Sequence, residues 1–172
     1  MTSRRRLFSP LALAAGLLAC AKYPTAIYVR VTADPAVLAR VNSVVVRVYD
    51  GASGGMMPMP FYTSPPTPLM RAAMEQTFVV TDTGRFNSVR IEVEGYTGMA
   101  NTILGNLLMP NNGIVTDRAT VTWQQDKVLS VSLRLRETCM ATGRMPCPPS
   151  ERCISATECV ASTTNNATPY LY

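Results

Sequence analysis

The chain has 172 residues, 47% of them hydrophobic and 16% charged, with a formal net charge of +5 and no histidine. The missing histidine excludes Ser–His and Cys–His catalysis and removes the commonest metal-ligating side chain. The length suits one domain, or one domain with an appendage.

The first nineteen residues read as a leader. Arg4, Arg5 and Arg6 make a positive start, and Leu7 to Leu18 form a mostly apolar run of twelve residues. That run is too short to span a bilayer but has the length of an export signal's apolar region. Without the leader, thirteen basic residues face eleven acidic ones, so most of the basicity belongs to the signal. A surplus of two offers no basic stripe for nucleic acid, and no nucleic-acid partner is expected.

The leader ends in Leu17-Leu18-Ala19-Cys20, which resembles the lipobox of bacterial lipoprotein signals. The resemblance implies acylation of Cys20, cleavage before it, and attachment to the membrane through the N-terminal lipid. Three acyl chains make such a tether effectively permanent, since stable anchoring takes at least two. Leu18 departs slightly from the pattern, where a smaller or β-branched residue is more usual. Ala21 stands where an inner-membrane retention signal has aspartate, so the resemblance implies a lipid-anchored protein of the outer membrane. An ordinary secretory signal would leave Cys20 without a role. Ser3 to Phe8 also loosely resembles a twin-arginine export motif, and both export routes stay open.

After a brief tether at 20–25, alternation sets in. Ala26 to Thr32 and Ser43 to Tyr49 carry the period of half-buried strands, separated by one helical turn with Pro35 at its first position. Met56 to Pro68 holds five prolines and reads as a long exposed loop. Gln76 to Thr81 and Ser88 to Tyr96 resume strand character. In the second of these, Val89, Ile91 and Val93 point inward and Arg90, Glu92 and Glu94 outward. A weaker strand at Thr102 to Met109 and a turn at Pro110 to Gly113 precede two late strands, one around Ala119 to Trp123 and one from Leu129 to Arg136. Seven or so strands in 26–137, with no long helical period, predict an all-β, antiparallel, immunoglobulin-like two-sheet sandwich. A six-stranded barrel is the rival, and Trp123 is expected to plug the core.

Four further cysteines, Cys139, Cys147, Cys153 and Cys159, crowd into 138–160. In an exported chain an even cluster reads as two disulfides, and their spacing is wider than the paired C-x-x-C steps of zinc sites. Three pairings remain open. Residues 161–172 are polar and are expected to be a flexible tail. The order of lipobox, β domain, Leu133-Arg134-Leu135 and four-cysteine segment resembles a group of lipoproteins from myxobacteria and their relatives. That resemblance brings no activity with it.

Candidate sites are few. Glu92 and Glu94 could pair for glycoside hydrolysis, but alternation makes them a solvated face beside Arg90. Met56, Met57, Met59, Met70 and Met74 have the chemistry to hold copper(I), yet without histidine nearby they read as loop filler. Phe61 and Tyr62, among prolines and methionines, are the candidate binding surface, against the duller reading that they fold back on the sandwich. No cofactor and no catalytic residue is expected. The expectation is a non-enzymatic envelope protein whose sandwich presents a surface to a protein or glycan. The alternative is a passive structural lipoprotein without a dedicated ligand.

Overall fold

A computed structural model describes residues 25–52, 60–65, 67–68, 75–97, 103–104, 107–108, 113–140, 147–148, 150–163 and 168–169. Cys20 with its leader, and Met56, Met57, Met59, Met70 and Met74, lie outside them. In chain order the elements are β1 (Ala26–Ala33), α1 (Pro35–Leu38), β2 (Ser43–Asp50), β3 (Tyr62–Thr63), β4 (Thr67–Pro68), β5 (Glu75–Thr81) and β6 (Ser88–Tyr96). There follow β7 (Ile103–Leu104), β8 (Leu107–Leu108), β9 (Gly113–Thr122), β10 (Val128–Leu135), β11 (Glu151–Ser155), β12 (Glu158–Ala161) and β13 (Thr168–Pro169).

The fold is all-β, built on two sheets. One has the order β13-β10-β1-β5; the other runs β3-β2-β6-β9, with β4 also on β2. Each strand turns every second residue inward, because side chains alternate across a pleated strand. Val29 and Val31 of β1 and Leu129, Leu133 and Leu135 of β10 therefore meet Val46 and Val48 of β2 and Ile91 and Val93 of β6. They form one buried cluster shared by both sheets. The turn α1 closes one end with Val37 and Leu38. Trp123 sits just past β9 and packs half-buried against the cluster from the opposite end.

The structure departs from the sequence expectation in four places. The first and last long strands, β1 and β10, pair in parallel, Ala26 opposite Val128 through Ala33 opposite Leu135; alternation encodes a face and leaves the neighbour's direction open. The proline-rich stretch contributes β3 and β4, both antiparallel to β2. Pro68 is tolerated there because an edge position needs no ladder donor. The tail expected to be flexible is partly tied in. Thr120 donates its N–H to Ser162 O at 2.9 Å, and β13 pairs with β10. Finally, the outer face of β6 is covered rather than solvated.

The disulfides are Cys139–Cys153 and Cys147–Cys159, each with Cα atoms 5.9 Å apart. Cys153 and Cys159 stand opposite one another in the β11–β12 hairpin, and each staples it to the preceding segment.

Candidate functional site

Two regions concentrate polar or exposed chemistry, and they differ in kind. The first is the outer face of the β2-β6-β9 sheet. Arg47 is 7% exposed and is held between the Glu94 carboxylate and Tyr96, donating to the Tyr96 hydroxyl at 3.0 Å. That hydroxyl in turn donates to Glu94. Arg118 pairs with Glu92 at 3.3 Å and donates to Pro148 O at 2.9 Å. Arg90 lies over the Tyr49 ring, 4.5 Å from its centre. The disulfide segment reaches this face at Arg118, while Glu92, Glu94 and Arg90 are shielded by Arg118, by Arg47 with Tyr96, and by the Tyr49 ring.

Burial pushes the Glu92 carboxyl up; Arg118 pulls it down, and the neighbouring Glu94 pushes it up again. Burial likewise raises the Tyr49 hydroxyl to about 12, with Glu92 adding to the rise. Both glutamates are engaged by arginines and tyrosine, so the pair is built as a charge-balanced layer. A buried pair of this kind resists removal of either partner more than it adds to net stability.

Asp117 belongs to the opposite face of β9, flanked by Val115 and Ala119, and is 1% exposed. Its two oxygens accept from the Arg118 N–H (2.9 Å), the Arg134 N–H (2.8 Å), and Arg152 Nε (3.0 Å) and Nη2 (2.5 Å). Burial raises its carboxyl, and Arg152 and the two backbone donors oppose that. Asp117 joins β9, β10 and the disulfide hairpin at one point. Its one signal in the sequence is a carboxylate in the inward phase of the strand, between Val115 and Ala119.

The second region is a groove of about 320 Å³ between strand edges. One wall is Phe61 and Tyr62, held against β2 by the Phe61 N–H donating to Val48 O at 3.0 Å. The other wall is Val79, Val80 and Thr81, the last three residues of β5. Thr83 and Arg85 of the following turn close one end. That turn is shaped by Asp82, whose carboxylate accepts from the Gly84 N–H at 2.8 Å while Gly84 takes φ +69°. A side chain there would be strained although nothing crowds it. Phe86 stacks on Phe61 with centroids 4.9 Å apart and fixes that wall.

Among the described residues, the exposed large hydrophobics are Phe61 (37%), Tyr62 (50%) and Val79 (53%), and all three line this groove. Phe61 and Tyr62 were candidates from their composition alone; Val79, Thr83 and Arg85 join them only through the fold. Val79 did carry a signal, being an apolar residue in the outward phase of β5. The groove brings together hydrophobic area and one guanidinium. No protein-family model, no curated protein and no solved structure matches the chain, so the groove is read from its own side chains.

Proposed function

We infer that the protein is a lipid-anchored, non-catalytic binding module of the bacterial cell envelope, held to the outer membrane through Cys20. The observation that carries the binding half is the convergence of Phe61, Tyr62, Val79 and Arg85 on one open groove. Burying these side chains on a partner would remove apolar surface from water, and clustered exposed apolar residues mark such sites. The anchoring half rests on Leu17-Leu18-Ala19-Cys20. The two disulfides agree with an oxidising compartment outside the cytoplasm.

Both halves are open to experiment. Growth with a palmitate analogue labels the wild-type chain and leaves Cys20→Ser unlabelled; equal labelling of the two sinks the anchor. The acylated protein, recovered from envelope extract, retains a stoichiometric partner that Tyr62→Ala loses. A partner kept equally by Tyr62→Ala places binding elsewhere, and no partner at all favours a passive envelope role.

A further inference from the structure

We propose that the groove takes an extended peptide strand carrying an acidic residue, which adds to the edge of β5 that no described strand pairs and sets its carboxylate against Arg85. This rests on the reading of the groove as a binding site and names the class of its partner.

Three observations carry it. First, the groove follows strand edges rather than a sheet face. Val79 and Val80 are consecutive and point to opposite faces, yet both line it, as do consecutive Phe61 and Tyr62. What two such walls expose between them is backbone edge. Second, each of the other long edges carries a partner over part of its length, which for β10 is Leu129 and Ser130. Ser162 and Thr163 lie along β9, β13 pairs with β10, and β3 and β4 line β2. Among the described residues, β5 pairs only with β1. It is seven residues long and contains neither proline nor lysine, the usual protections of an open edge. An open edge of that length offers alternating N–H and C=O groups to a strand from another chain.

Third, charge selects the occupant. Arg85 is exposed at the groove's end, and no described carboxylate forms an ion pair with it. Glu75, at the far end of β5, is already bound by Arg30 at 2.6 Å. A second copy pairing through β5 would bring that occupied glutamate towards Arg85, and would bring its own Tyr62 wall against this one. A glycan could stack on Tyr62 but would leave the β5 backbone unmatched.

The test uses the full chain, purified in detergent, against two arrays. One carries alternating apolar–polar peptides of about twelve residues, a length that overspans the seven-residue edge, in acidic, neutral and basic versions. Each has a twin N-methylated along one edge. The other carries neutral and acidic oligosaccharides. We expect acidic peptides to be retained and their N-methylated twins lost. Tyr62→Ala should weaken retention about tenfold, as truncating an interface aromatic does, and Arg85→Glu should shift the preference to basic peptides. Both side chains are exposed, and unchanged Trp123 fluorescence certifies the fold of each variant. Oligosaccharide binding that needs Tyr62, without peptide binding, overturns the peptide and keeps the groove. Equal binding of methylated twins, or a dimer by light scattering that Val79→Lys dissociates, overturns strand addition by a partner peptide. Silence on both arrays, or binding indifferent to both variants, overturns the peptide and the groove together.

Discussion

Asp117 shows how one side chain can hold three elements. Its four accepted hydrogen bonds come from β9, from β10 and from Arg152 of β11, and they use every lone pair the carboxylate offers. Asp117→Ala leaves Arg152 and the Arg134 N–H without that acceptor inside a covered site, and removing one partner of a buried pair costs about 3–5 kcal/mol. A urea titration should show that loss as a fall in midpoint; a change below about 1 kcal/mol, the range of an exposed pair, would show that water replaces the carboxylate freely. Acid–base behaviour follows from the same burial. Glu92 titrates near 4.5 when unfolded and higher when folded. The folded chain therefore keeps a proton the unfolded chain has released, and stability from this group is complete below 4.5 and lost as pH rises through the folded value. Asp34 has the opposite sign. Burial works against its charge, but the Glu137 N–H and Arg134 outweigh burial and hold the carboxyl below 3.8, so its contribution disappears as pH falls. The urea midpoint should accordingly decline from pH 4.5 towards neutrality, and Glu92→Gln should flatten that decline. An unflattened decline would assign it to Asp117, whose carboxyl burial also raises.

At the level of elements, strands were largely legible in the sequence because alternation is a direct record of a half-buried face. Ala26–Ala33 and Val128–Leu135 carry it, with Val31 and Leu133 inward, whereas Ser43–Asp50 and Ser88–Tyr96 are covered on both faces, with Val46 and Ile91 in the shared core. What alternation cannot record is a partner. The parallel β1–β10 ladder joins residues about a hundred positions apart, and nothing local distinguishes it from an antiparallel one. For the same reason the outward face of β6 read as solvated: its polarity is written in Arg90, Glu92 and Glu94, but the side chains that engage them come from the neighbouring strands, Arg47 and Tyr49 of β2 and Arg118 of β9. The groove was half legible, since Phe61 and Tyr62 stand out by composition while Val79 and Arg85 reach them across the sandwich. The disulfide segment has its own consequence. The bridges join residues 14 and 12 positions apart, and closing loops of that length contributes about 3 kcal/mol each on a chain-entropy treatment. Reduction should then release β11 and β12 while the two sheets persist. Hydrogen exchange should show protection lost first at Arg152 to Val160 and at the Arg118 face, with Val46, Ile91 and Leu133 still protected. Simultaneous loss at all of these would mean that the bridges hold the whole fold rather than its appendage.

Over the whole molecule, the sandwich has a polarity set by where the chain enters it. Thr25 is bound into one end: its carbonyl accepts from the Asp82 N–H at 3.0 Å and its hydroxyl from the Asp126 N–H at 3.0 Å. The turn that carries Thr83 and Arg85 is at that end, and so is Trp123, whose backbone N–H donates to Asn87 O at 3.0 Å. Five residue steps separate Thr25 from Cys20, a reach of about 17 Å even when fully extended. If Cys20 carries the lipid, the Arg85 end of the groove is the membrane-proximal end, and a partner strand must approach along the bilayer rather than from the bulk. Trp123 is the chain's single tryptophan, so it reports this placement without labelling. In vesicles containing dansyl-headgroup lipid, the acylated protein should transfer excitation from Trp123 to the dansyl groups. Inserting a Gly-Ser stretch of about twenty residues after Ala21 adds a root-mean-square span of about 25 Å and should cut that transfer sharply, while Cys20→Ser should abolish it. Transfer that the insertion leaves undiminished would show that something other than the tether holds this end to the membrane. Transfer near zero in the acylated wild type would show that the short tether does not hold the Thr25 end at the bilayer, and would overturn the membrane-proximal placement of Arg85.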